Sequence, residues 1–144
     1  MTNRGTKGQL NVGALNVQGA AIVNQLQNVT IQWDTPGIEA ANQIAVSATL
    51  YDGNGNAVTQ PYALHWWLAD NQYGQGLAVA PNVGVDVDAN GYMVEYIANR
   101  AGIIMTEDNG GFSFELEHTT TGTWHVVVVL PDGRLSISSA ITFA

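Results

Sequence analysis

"FSFELEHTTTGTWHVVVVL" runs from Phe112 to Leu130 and reads as two strands and the turn that joins them. Phe112, Phe114 and Leu116 alternate with Ser113, Glu115 and Glu117. That period of two marks a strand with one dry face and one wet face. Thr119–Gly122 then supplies turn chemistry, and Trp124, Val126, Val128 and Leu130 set out a second dry face. Val127 and Val129 take the intervening positions, where alternation asks for polar side chains. A strand that is apolar on both sides usually has both sides covered. Burying a valine side chain is worth about 1.5–3 kcal/mol, so this pair needs a cover: a loop, the leading segment of the chain or a neighbouring subunit.

The same grammar extends outward in both directions. Asn28–Trp33 alternates, Thr35-Pro36-Gly37 interrupts it, and Ile44, Val46, Ala48 and Leu50 line one face opposite Ala45, Ser47, Thr49 and Tyr51. Asp52-Gly-Asn-Gly-Asn56 is a turn, because glycine and asparagine reach positive φ at little cost. Leu64, Trp66 and Leu68 form the next inward face, and a glycine-rich loop from Asn71 to Pro81 leads to Val83–Asp88. Asp88-Ala-Asn-Gly91 turns into Tyr92–Ile97; Ile103–Met105 follows, and Glu107-Asp-Asn-Gly-Gly111 turns again. Beyond Pro131-Asp-Gly133, the residues Leu135, Ile137, Ser139, Ile141 and Phe143 are expected to share one face of a last strand. Seven or more short strands at this spacing predict an antiparallel β-sandwich over residues 27–144.

Residues 1–26 differ in kind and are expected to form an extended N-terminal arm. From Gly8 to Asn28 the chain reads "GQLNVGALNVQGAAIVNQLQN", without a charge and with a near-repeat at Leu10 and Leu15. Only Gly19–Gln27 offers a rival helical face. Leu10, Val12, Leu15, Val17, Ile22, Val23 and Leu26 make the segment too apolar for a solvated tail, and they are read as an interface. All twelve acids lie from Asp34 onward with two of the four basic residues, so residues 34–144 carry 2 − 12 = −10. Such a body repels phosphate, so no nucleic-acid partner is expected. No stretch approaches the ~20 apolar residues that span a bilayer, and the polar interruptions after the basic start argue against a signal peptide. Cysteine is absent, which removes disulfides and thiolate metal sites.

Candidate sites are few. Asp86-Val-Asp88-Ala-Asn90-Gly91 matches the opening of a calcium loop, but Ile97 stands where a bidentate glutamate belongs. A hairpin turn explains the same letters, so Asp86, Asp88 and Asn90 are weak metal candidates and no cofactor is expected. His65 and His125 fall on outward faces and His118 at a strand end, at no metal-binding spacing, so solvated or rim histidines are expected. No nucleophile elbow or phosphate-cradling loop is present, and no catalytic residue or enzyme is expected. Period two sends Trp66 inward and Trp67 outward beside His65. Trp67 is read as lying under the following loop or at an interface, with Val127 and Val129.

"LYDGNGNAV" (Leu50–Val58) and "MTEDNGGFSFELEHTTTGTWHVVVVL" (Met105–Leu130) resemble the signature stretches of bacterial Ig-like repeats of the invasin type. The resemblance spans residues 42–143 and implies an Ig-like sandwich. With the "NRGTKGQL" start and the "LPDGRLSISSAITFA" ending, the chain is similar to small structural proteins of tailed bacteriophages, of the capsid-decorating kind. That likeness implies an oligomeric virion protein that binds other shell proteins, the major capsid protein above all. The alternatives are a carbohydrate-binding or adhesive surface module using Trp67 and the Gln72–Pro81 loop, and a tail or baseplate component.

Overall fold

The structure, a computed structural model, describes residues 28–144. The expected arm residues Leu10, Val12, Leu15, Val17, Ile22, Val23 and Leu26, and the rival helix, lie outside the described residues. Within them the chain forms eleven strands and no helix: β1 (Thr30–Trp33), β2 (Gly37–Ala40), β3 (Gln43–Tyr51), β4 (Ala63–Ala69), β5 (Gly84–Asp86), β6 (Tyr92–Ile97), β7 (Ala101–Met105), β8 (Gly111–Glu117), β9 (Gly122–Val129), β10 (Leu135–Ile137) and β11 (Ile141–Phe143). They build two antiparallel sheets packed as a sandwich, consistent with an Ig-like arrangement. The five-stranded sheet runs β1-β3-β8-β5, with β2 also on β3; the six-stranded sheet runs β10-β9-β4-β7-β6, with β11 also on β9.

The inward faces are those that alternation picks out. Ile44, Val46, Ala48 and Leu50 of β3 and Phe112, Phe114 and Leu116 of β8 are buried from one side; Leu64, Trp66 and Leu68 of β4 and Trp124, Val126 and Val128 of β9 meet them from the other. A ring contact stitches the layers together, with Trp66 edge-on to Phe114 at 5.2 Å, and within the five-stranded sheet Trp33 stands edge-on to Phe112 at 5.7 Å. Each such large apolar side chain contributes about 1.5–3 kcal/mol on burial. The Trp66 indole N–H is buried without an acceptor among the described residues.

Thr35-Pro36-Gly37 ends the first strand as expected, and Gly37–Ala40 then returns as an exposed edge strand on β3. Three local expectations are corrected. Asp88-Ala-Asn-Gly91 is not a hairpin turn: β5 pairs with β8 in one sheet and β6 with β7 in the other, so this segment crosses between layers. The side chain of Ser113, expected on a wet face, is buried under that crossing. Its Oγ accepts the Ala89 and Asn90 N–H groups, each at 2.9 Å, and lies 3.1 Å from the Asn90 carbonyl oxygen. Finally, Leu135–Phe143 is not one strand with one face. Leu135 and Ile137 pair with Val129 and Val127, Ile141 and Phe143 turn inward, and buried Ser138 between them accepts the Val126 N–H at 2.9 Å.

His118 is likewise not a rim histidine. It is buried edge-on against Trp124 at 4.6 Å, and its Nδ1 accepts the Asn82 N–H at 3.0 Å. Nε2 lies 2.9 Å from Thr120 Oγ1. Gly122 is what the close corner requires, since a Cβ there would overlap the Trp124 ring. The "TTTGTW" letters therefore encode a packed corner between β8 and β9.

Candidate interaction surface

The outer face of the six-stranded sheet is the part of the surface that core formation leaves unexplained. Register aligns Tyr92, Met105 and Ala63 in one row across β6, β7 and β4, and Val94, Ile103 and His65 in the next. Tyr92 is 74% exposed, Val94 63%, Tyr96 59% and Met105 40%. The Tyr96 ring sits 6.1 Å from that of His65. No carboxylate, lysine or arginine stands in these rows. Scattered single apolar residues on a surface need no explanation, whereas a contiguous uncharged patch does.

The rest of that face has a cover of its own. The segment after β4 folds back over it, organised by Asn71, whose Oδ1 accepts the Tyr73 and Gln75 N–H groups at 3.1 Å and whose Nδ2 donates to the Gln75 carbonyl at 2.8 Å. Trp67 is half-buried there and donates its indole N–H to the Gly74 carbonyl at 3.1 Å. Gly74 has φ +69°, and a Cβ on it would press Val127 and Ile137 at 3.0–3.2 Å. Among the covers that the valine pair called for, the chain's own loop shields Val127, which is buried; Val129 is half-buried, paired with Leu135. With its N–H engaged and its ring under the loop, Trp67 is no open stacking platform for a sugar.

The five-stranded sheet presents the opposite chemistry. Of the weak metal candidates, Asp88 is the one that meets other carboxylates. Its carboxylate joins those of Glu39 and Glu115, with all three within 4.8 Å of one another. Asp86 accepts the Val87 N–H at 2.7 Å, and the Asn90 backbone serves Ser113. Partial burial of Glu115 raises its pKa above the ordinary 4.5, reinforced by a hydrogen bond with Glu39 and by the charges of Glu39, Asp88 and Glu117. Three carboxylates are hard oxygen donors in type, but here they come from exposed or half-exposed side chains on three separate segments.

His65 is exposed, and half-buried His125 places Nδ1 3.0 Å from the Ser138 carbonyl. Among the described residues, the one group of three or more metal-ligating side chains contains none of His65, His118 and His125. Sequence reasoning missed the Tyr92–Met105 patch because Tyr92–Ile97 is apolar at almost every position and so marks no inner side. The available signal was Glu95, the one charge in that strand, which sits out of phase with Tyr92 and Val94. No family model matches the chain, and no curated protein matches it.

Proposed function

We propose that the protein is a structural, non-catalytic component of a bacteriophage virion, of the capsid-decorating type. In this reading residues 1–26 dock on other shell proteins, the major capsid protein first, the uncharged outer face of the six-stranded sheet packs against a neighbouring subunit, and the acidic sheet faces solvent. The observation that carries the reading is the division of the surface. One sheet exposes Tyr92, Val94, Tyr96 and Met105, and the other exposes Glu39 and Asp88 with half-exposed Glu115 and Glu117. A molecule needing only solubility has no use for such a division. The motif resemblance of Leu50–Val58 and Met105–Leu130 supports the same class of protein.

The test is co-sedimentation with purified phage shells. A variant lacking residues 1–26, checked for native near-ultraviolet circular dichroism, is expected to remain in the supernatant where the full chain pellets. Full binding by that variant removes the arm from the mechanism. A second reading, a glycan-binding or adhesive module, draws on the exposed Tyr92 and Tyr96 rather than Trp67. A glycan array on which the wild type binds and Tyr96→Ala does not favours it over the shell reading.

A further inference from the structure

We propose that the Tyr92–Tyr96 face of the six-stranded sheet is a self-association surface whose occupant is a second copy of this chain, related to the first by a twofold axis. The first argument is electrostatic. Each copy carries a net charge of −8, and most approaches between two copies bring like charges together. The rows Tyr92–Met105–Ala63 and Val94–Ile103–His65 hold no carboxylate, so two copies touch there with that cost confined to the rim, where Glu107 and Asp108 flank Tyr92 and Met105. Face-to-face docking also sends the two acidic sheets to opposite ends of a four-layer stack. Layers about 10 Å apart keep those sheets at least ~30 Å from each other, several times the ~8 Å screening length at physiological salt.

The second argument is shape. A twofold interface must be complementary to itself, and an uncharged field of tyrosine, valine and methionine meets that condition where a patch of one charge sign does not. Exposed to the stated degrees, these side chains offer on the order of 500 Å² per copy, the size of the largest apolar patch on a typical monomer, which is often functional. A standard interface buries about 800 Å² per partner, so the association is weak and depends on concentration. The third argument selects face over edge. β6 ends its sheet, but its pairing with β7 shifts register between Glu95 and Ile97. An irregularity of that kind bends an edge away from strand addition.

Sedimentation equilibrium on the full chain tests this, and it is independent of the shell reading: a dimer that ignores shells sinks that reading alone. The wild type is expected to pass from monomer to dimer between about 1 and 100 µM. Val94→Glu is expected to weaken association at least tenfold, while Thr30→Glu, with the same charge on exposed β1 of the other sheet, leaves it unchanged. The chain has no cysteine, so Tyr92→Cys, Val94→Cys and Tyr96→Cys each introduce a single thiol. Under mild oxidation at least one of them is expected to give a disulfide-linked dimer that Thr30→Cys does not, a result available even if Val94→Glu fails to fold. A wild type that stays monomeric throughout, equal weakening by both glutamates, or no selective cross-link overturns the proposal.

Discussion

The five-stranded sheet sends Glu39, Glu115 and Glu117 to its outer side, where Asp88 joins them, whereas the six-stranded sheet sends Tyr92, Val94, Ile103 and Met105 to its own. Both sheets bury the alternate residues in one shared core, so packing does not explain the difference. Folding needs only the inward half of each strand, and the outward half is free to serve something else. On one side it serves hydration, at the expense of crowding three carboxylates within 4.8 Å. On the other it holds apolar area in water, an arrangement that makes sense when another surface covers it. The partial cover supplied by Gly74 over Val127 shows what a completed version of that side looks like.

The contrast can be broken at several levels. Phe114→Ala removes the ring that meets Trp66 across the layers and should collapse both sheets together, at a cost of about 3–5 kcal/mol in urea unfolding. Gly102→Ala strikes the six-stranded sheet alone, since a Cβ there would overlap the Val94 carbonyl oxygen and the Glu95 backbone. We expect a loss of about 3 kcal/mol, with hydrogen exchange rising in β6 before it rises in β3. Ser113→Ala strikes the other side by leaving the Ala89 and Asn90 N–H groups without their acceptor, at about 2 kcal/mol by chemical denaturation. The smallest change, Glu115→Gln, sharpens the comparison. A carboxyl whose folded pKa is raised contributes stability below its unfolded value and loses it as pH climbs through the folded one. The glutamine variant should therefore be more stable than wild type at pH 7, by less than about 1 kcal/mol for so accessible a group. That advantage should shrink as pH falls through the raised folded value and be gone by about pH 4.5 in a pH series of thermal melts.

Much of the sandwich was legible because its strongest strands are unambiguous. Ile44–Leu50 and Phe112–Leu116 each have one residue class on each side, and so the inner face follows from period two. Trp66 inside and Trp67 outside followed from the same count, which left open whether the next loop or an interface covers Trp67. The sheet partition was not legible at Asp88–Gly91, where aspartate, asparagine and glycine suit a hairpin and a layer crossing equally. What decides between them is Ser113, more than twenty residues away. The last strand misled for a related reason: its alternation is regular in the letters, but Ser138 takes a ladder position at Val126 and lets the chain flip faces. His118 looked peripheral because a strand end is usually wet, and only the fold brings Asn82 and Trp124 over it. The acidic cluster joins β2, the crossing and β8, and no local pattern announces such a meeting.

The order in which the strands leave the ribosome has its own consequence. The chain changes layers at β3–β4, β4–β5, β5–β6, β7–β8 and β8–β9, so neither sheet is a contiguous piece of sequence. β3 is complete at Tyr51, but the strand it pairs with most extensively begins only at Gly111. At about 5–20 residues per second, translation of the intervening stretch keeps Ile44, Val46 and Leu50 without that partner for several seconds. Non-local pairing of this kind places spontaneous refolding on a scale of milliseconds to seconds, and the nascent chain has to survive that interval before either face exists.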